Sequence, residues 1–500
     1  MVNEDLQVRQ AGILMPVFSI PSPYGIGDFS NNTKRFLKDC AKAGFGIWQI
    51  LPLGPIEIGE GPYRTYSSFA IDPIYVSLEG LLEDGLLGEI GTLDSNPDEV
   101  EYTKVRAFKE PYFQKAFEAF LKTEDKALQA DYQAFLDQAY WLDRYALFMA
   151  LKKKNGMKPW MEWPQEDRKL TKPNERLAQQ VDYQKFLQWQ AFRQWRKIMD
   201  YAHKLGIHVI GDIPIYVSGD SADVWQYPEA FEIDEQGKIL QYSGCAPDAL
   251  GDGQFWGNPI YNWKALANQG YDYWIKRLGW SAVLTDTVRL DHFIGFDRYW
   301  AIPADNPIPK AGHFEEGPGE ALFDAIFAAD PGLSFIVEDL GLLRPQVYAL
   351  KDKYGMLGMR VSQYALGPVE AKVGYKLPEA CIVYPGTHDN DPIEGWYKSL
   401  PKAERKHVNS IFRHLGLKGR TISDRMMDYC LKSDCRIAIF PMQDLLHYDE
   451  TTRINRPGTP GDENWKWRLN DFALFESRLD TIRRKLKNSN RLVSRTKEIR

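Results

Sequence analysis

The chain is poor in the features that mark several large protein classes. It has five cysteines in 500 residues. Cys40, Cys245, Cys381, Cys430 and Cys435 form no metal-type pair of pairs, and their odd number fits no closed disulfide framework, so they read as reduced packing residues of a cytoplasmic protein. No stretch approaches 18 uninterrupted apolar residues, which excludes a membrane-spanning helix. The opening MVNEDLQVRQ is acidic early and lacks an apolar run, so it reads as neither a signal nor a transit peptide. Among the eight histidines there is no HExxH or comparable spacing, which argues against a catalytic metal. GxGxxG and GxxxxGK[ST] are also missing, and with them the usual phosphate-cradling loops. Acidic residues outnumber basic ones, 68 to 62, giving a net charge of −6; there is no global basic field to hold nucleic acid. The exception is Arg478 to Arg500, with nine Lys/Arg, which reads as a solvated helix face and a frayed tail. No internal repeat or low-complexity segment stands out, and nothing fixes an oligomeric state.

What is present is an ordinary globular balance, 44% hydrophobic and 26% charged, with aromatics at 13% and 15 tryptophans. Aromatics beside a cleft suit a ligand with apolar CH faces and many hydroxyls, that is, a sugar. Seven short apolar runs end in Gly, Pro or a carboxylate: GIWQILPLGP (46–55), GIHVIGDIPIYV (206–217), AVLTDTVRLDHF (282–293), SFIVEDLG (334–341), GMRVSQYAL (358–366), ACIVYPGTHDND (380–391) and CRIAIFPMQD (435–444). They read as buried parallel strands with amphipathic helices between them, one helix stopping at Gly206. An open doubly wound sheet would most often carry a Gly-rich phosphate loop. A closed barrel places polar residues at the C-terminal ends of many strands, which Asp212, Asp291, Glu338 and Asp389 match. The expected fold is therefore an α/β (β/α)8 TIM barrel, with helical insertion subdomains around its C-terminal face. Residues 1–84 supply the first part of the barrel, 85–200 a mainly helical insertion, and 201–500 the remainder, with a 220–270 loop insertion and the basic tail. Phe113, Ala116, Phe117, Phe120 and Leu121 would share one helix face, as would Phe135, Leu136, Ala139 and Tyr140.

Side chains alternate along a strand, so in VRLDHF Val288 and Leu290 face one way, Arg289 and Asp291 the other. A guanidinium beside Asp291 keeps that carboxylate ionised, as a glycosidic nucleophile requires; a buried ion pair positioning a loop is the alternative. Glu338 ends the apolar run SFIV, where desolvation raises its pKa and lets it serve as a general acid. Adjacent Asp339 reads as a capping or loop residue. Asp389, after another apolar run and next to His388, can accept hydrogen bonds from sugar hydroxyls and repel charge on Glu338. The same DND reads alternatively as a turn, or as a metal-binding DxD without the basic loop such a site needs. His292 and His388 can donate to sugar hydroxyls.

With these acids in place the chain resembles the 4-alpha-glucanotransferase family (amylomaltases, or disproportionating enzymes) of the alpha-amylase clan. The motifs run from AGILMPVFSIPSPYGIGDF (11–29) through WQILPLGP, GPYRTYSSFA (61–70), YALFMALK (145–152), KPWMEWP (158–164), GDIPIYV, WGNPIYNW (256–263), VRLDHFIGFDRYWAIP, VEDLG and GTHDND to RPGTPGDENWKWR (456–468), nearly the whole chain. The resemblance implies Asp291 as nucleophile, Glu338 as general acid/base and Asp389 as transition-state stabiliser. It implies sugar contacts from Tyr63, Asp212, Trp256, Arg289, His292, His388 and Asn464, no cofactor or metal, and alpha-1,4-glucans or malto-oligosaccharides as partners, in starch, glycogen or maltose metabolism. It also implies retaining double displacement, with the two carboxyl groups about 5–5.5 Å apart. A hydrolase of the same clan and a non-catalytic glucan-binding protein are the competing readings. Three departures stand out: a shortened 244–259 loop lacking a bulky aromatic near Leu250, SSFAIDP in place of SAFAGNP at a binding-site edge near Ile71 and Asp72, and a basic tail after Arg484 with no counterpart.

Overall fold

A computed structural model describes residues 4–247, 251–341, 343–366, 377–459 and 463–493. Eight parallel strands close into a barrel in chain order. They are β1 (Gln10–Leu14), β2 (Ile47–Gln49), β3 (His208–Ile213), β4 (Thr287–Leu290), β5 (Phe335–Val337), β6 (Leu357–Val361), β7 (Cys381–Tyr384) and β8 (Ile437–Pro441). Each of the seven apolar runs supplies one strand. The eighth, β1, went unread because Gln10 and Gly12 interrupt a five-residue run. Gly12 is needed there, since a Cβ on it would lie 2.7 Å from the Ile47 Cβ.

Strand alternation builds two cores. Ile47, Ile210, Ile336, Leu357, Met359, Ile382, Ile437 and Ile439 fill the barrel interior. Trp48, Val209, Val288, Leu290, Val337 and Val383 face outward into the larger core shared with the helices. Each such buried side chain contributes about 1.5–3 kcal/mol. Polar groups enter the interior near the strand ends, where Tyr384 donates to Gln49 across 2.8 Å.

Between β2 and β3 the chain is mainly helical, including Tyr102–Phe120, Lys126–Gln138, Leu142–Lys154 and Glu175–Lys204. The last begins where the Asn174 side chain accepts from the Leu177 amide. It ends before Gly206, whose φ of +64° only glycine adopts without strain. It also crosses residue 200, so barrel and insertion share one element. Phe113, Ala116 and Phe117 are buried as the periodicity required. Leu121 is not: it follows the last helical turn and is 59% exposed. Ala139 and Tyr140 likewise fall beyond their helix.

The 220–270 segment, expected as a loop, carries two strands of a four-stranded antiparallel sheet. Gln254–Pro259 and Gln241–Cys245 pair onward to Arg298–Pro303 and His313–Glu316. Its strands are too short and too mixed in polarity to announce themselves. The missing aromatic near Leu250 lies outside the described residues. Ile71 and Asp72 are themselves buried, and Asp72 binds the Arg106 guanidinium at 2.6 and 2.9 Å.

The basic C-terminal segment is only partly a solvated face. Helix Ala473–Asn488 is followed by Arg491, fully buried. Its guanidinium donates to the carbonyls of Leu431, Gln10, Arg436, Ser433 and Cys435 at 2.6–3.2 Å. Residues 494–500 of the expected frayed tail lie outside the described residues. None of the five cysteines is in a disulfide, and Cys381 and Cys435, distant in sequence, sit with their sulfurs 2.7 Å apart. Among the described residues no helix is long and apolar enough to cross a membrane.

Candidate active site

Strands β3, β4 and β5 lie side by side, with Asp212 in register with Arg289 and Leu290 with Val337. Register alone therefore puts Asp212 and Arg289 next to each other on the inner face. Arg289 Nη1 donates to both oxygens of Asp212 at 2.8 Å and to Asp291 Oδ1 at 2.9 Å. Its Nη2 donates to Glu338 Oε2 at 3.0 Å. One planar guanidinium thus orients three carboxylates from three strands, which its fixed fork suits better than a lysine would.

Exposure separates the roles these groups can take. The side chains of Arg289 and Asp212 are 3% and 0% exposed, whereas those of Asp291, Glu338 and Asp389 are 25%, 22% and 35% exposed. The ion pair is sealed beneath; the three acids are recessed but open. Burial lifts Glu338 well above the usual carboxylate range, and the negative charge of Asp291 lifts it further against the pull of Arg289. The like charge that presses on Glu338 is thus Asp291, where the sequence had pointed to Asp389. Burial also raises Asp212, despite Arg289.

After β4 the chain turns sharply. His292 adopts φ +46°, a left-handed conformation costing a non-glycine residue about 1–3 kcal/mol. The turn aims its backbone N–H at Glu338 Oε2, 2.9 Å away. It also sets the imidazole edge-on to Trp256, with ring centroids 4.7 Å apart. Burial lowers the His292 pKa to about 4 against the attraction of Asp291, so the ring is neutral at pH 7.

Asp389 lies on the loop after β7. Burial would raise its pKa, but His388, then Asn455 and Arg289, bring it down to about 2. Asn455 Nδ2 donates to Asp389 Oδ1 at 2.6 Å, and Arg453 Nη2 to the Asp389 carbonyl at 2.6 Å. His388 Nε2 lies 3.3 Å from Asp389 Oδ2 and 3.0 Å from the Tyr63 hydroxyl, and that hydroxyl donates to Asp212 Oδ2 at 2.7 Å. Tyr63 stacks on His388 and meets Trp465, with centroids 5.4 and 5.5 Å apart.

Of the residues singled out in the sequence, Tyr63, Asp212, Arg289, Asp291, His292, Glu338, His388 and Asp389 join one bonded network, and Trp256 packs on its edge. Asn464 does not join it. Its side chain accepts from the Arg456 amide at 2.9 Å and donates to Thr459, holding its own loop. Asp339 is no helix cap: it pairs with Arg360 at 3.0 Å and accepts from the Met359 amide at 2.7 Å. Three site residues went unread. Asn455 and Arg453 carry no motif of their own and matter only through folding, whereas Trp465 sat within a quoted motif. Among the described residues no three His, Cys, Asp or Glu side chains are grouped to hold a metal ion.

Paired acids at the strand ends of a closed parallel barrel, ringed by aromatics, define a (β/α)8-barrel enzyme of carbohydrate chemistry. The comparisons with known proteins agree. A family described as 4-alpha-glucanotransferase matches residues 15–474. The 4-alpha-glucanotransferase of Thermus thermophilus is 38% identical over 475 residues, covering 92% of this chain and 95% of that one. The chloroplastic/amyloplastic 4-alpha-glucanotransferase of Solanum tuberosum is 35% identical, covering 96% and 85%. Among solved structures, the amylomaltase of Streptococcus agalactiae in complex with acarbose superposes with a TM-score of 0.91 at 30% identity, covering 97% of this chain and all of that one. The chain belongs to the 4-alpha-glucanotransferase family and is a glycosyltransferase of that class.

Proposed function

We propose that the protein moves alpha-1,4-glucan segments between malto-oligosaccharides by retaining double displacement through Asp291. The observation that carries this reading is the Arg289 fork, which orients Asp291 and Glu338 at once while their environments differ. Arg289 occupies Asp291 Oδ1, leaving Oδ2 to attack the anomeric carbon. Glu338, held toward its neutral form, protonates the departing glycosidic oxygen as the C–O bond breaks. The shortened donor leaves, and the glucanyl group stays esterified to Asp291. Glu338, now a carboxylate, takes the proton of an incoming 4-hydroxyl; that oxygen displaces Asp291, and the configuration is retained overall. Asp389, held as the carboxylate, accepts hydrogen bonds from sugar hydroxyls, which strengthen as the ring flattens. Tyr63, Trp256, His292, His388 and Trp465 offer the stacking faces and donors a glucan needs. This chemistry belongs to the use of maltose, starch or glycogen, and we assign it to the cytoplasm.

Incubation with maltotriose is the test. Transfer gives glucose and longer oligosaccharides with constant total reducing ends. A steady rise in reducing ends would make the protein a hydrolase, and no turnover at all would leave it a glucan-binding protein.

A further inference from the structure

Behind the Asp389 loop lies a small recess of about 10 Å³, lined by Thr387, His388, Asp391, Gln443, Asp444 and Arg453 among others. A space of this size admits about one water molecule. Three buried polar atoms on its lining residues have no hydrogen-bond partner among the described residues: His388 Nδ1, Gln443 Oε1 and Asp444 Oδ2. The side chains are each more than nine-tenths buried, at 4%, 3% and 7% exposure. Their other atoms are fixed. Asp444 Oδ1 accepts from the Ile393 amide at 2.7 Å, and Gln443 Nε2 donates to the Thr452 carbonyl at 3.1 Å.

The far side of the imidazole settles which nitrogen carries a proton there. Tyr63 has one hydroxyl proton and gives it to Asp212 Oδ2. Its oxygen can then only accept from His388 Nε2, 3.0 Å away, so Nε2 bears hydrogen. Of the three unpartnered atoms on these lining residues, Gln443 Oε1 is a pure acceptor, and Asp444 Oδ2 is one when ionised. A single water satisfies all three when it donates to Asp444 Oδ2 and Gln443 Oε1 and accepts from a protonated His388 Nδ1.

We propose that Asp444 is a positioning residue for the transfer reaction: with Gln443, and through one water seated in this cavity, it holds His388 doubly protonated, and the imidazolium holds Asp389 as its carboxylate. This rests on the role given to Asp389 above. The charged and titratable groups facing Asp444 are Glu394 on helix Ile393–Ser399, Cys430 on helix Ile422–Lys432, and Asp391, His388 and Arg453 around the cavity. Burial and Glu394 push Asp444 up to about 7, so its charge is poised near neutrality and an adjacent imidazolium decides it.

The first test needs no activity. In the intact protein labelled with ¹⁵N-histidine, with the resonance assigned through H388Q, both ring nitrogens of His388 should be protonated at pH 7. An unprotonated Nδ1 there overturns the proposal, whatever becomes of the Asp389 assignment. The second is Asp444→Asn, which keeps the shape and removes the charge. We expect kcat to fall roughly tenfold, the loss of one charge-assisted hydrogen bond, with KM nearly unchanged. The alkaline limb of the kcat profile should also move to lower pH, because His388 loses its second proton sooner. Gln443→Glu, which adds a charge to the same cavity, should move that limb the opposite way. A pH profile unmoved in both variants, with only a lower melting temperature, would make Asp444 purely structural.

Discussion

Arg289 Nη2 and the backbone N–H of His292 both donate to the same oxygen of Glu338, Oε2, at 3.0 and 2.9 Å. Neither donor takes Oε1, so a neutral Glu338 carries its proton on Oε1, on the side away from the guanidinium. The acid's proton position is thus fixed by two donors, one from a strand and one from the strained turn that follows it.

Glu338→Gln keeps these two bonds and removes the transferable proton. We expect kcat on malto-oligosaccharides to fall by about 10²–10⁴. Cleavage of an α-maltotriosyl fluoride, whose leaving group needs little protonation, should fall far less. Because the Glu338 pKa lies above the ordinary carboxylate range, the part of the alkaline limb of kcat/KM that Glu338 carries should disappear in this variant. Equal losses on both substrates would argue against an acid role.

Arg289→Lys preserves the charge but not the fork. One ammonium cannot reach Asp212, Asp291 and Glu338 in the observed geometry, so kcat/KM should fall about 100-fold as two charge-assisted bonds are lost. Thermal unfolding should change little, since the buried carboxylates keep a cation. A fall in stability without loss of rate would place Arg289 outside the reaction.

His292 has its pKa depressed from 6.5 to about 4 by burial. The unfolded chain therefore binds the proton more tightly than the folded one. The stability this neutral ring carries is complete above pH 6.5 and is lost as pH falls through 4. Full burial would be worth about 3 kcal/mol over that window; for a ring in a recess open to solvent we expect roughly 1–2. Urea denaturation at pH 7 and at pH 4.5 should show H292Q losing less stability on acidification than the unmodified protein.

Arg491→Ala removes a buried guanidinium from five carbonyls at the strand entrances, far from the acids. It should cost about 3–5 kcal/mol of stability while leaving kcat at 25 °C unchanged. Calorimetry and the maltotriose assay check the two halves separately.

Much of the site was legible because its residues end apolar runs. Asp212, Asp291, Glu338 and Asp389 each follow a hydrophobic stretch, and a polar residue there has few structural uses. Tyr63, Trp256 and Asn464 entered only through whole-chain resemblance, and Asn464 proved to hold its own loop. Asn455, Arg453, Gln443 and Asp444 were invisible as a set. Asn455 and Arg453 reach Asp389, and Gln443 and Asp444 the recess beside His388, from a segment more than fifty residues downstream, and no local pattern records such a meeting. Leu121 and Tyr140 misled because periodicity does not mark where a helix stops.

The sequence by itself determined seven of the eight barrel strands, the closed barrel and the acids at its mouth. Alternation of apolar and polar residues is a local property, and burying it leaves few arrangements. Only the tertiary structure decided the protonation pattern: which oxygen of Glu338 is free, that His292 is neutral, and that Asp389 is held at the low end of its range. Those outcomes depend on desolvation and on charges brought within hydrogen-bonding distance from different strands, and such distances exist only once the ring has closed.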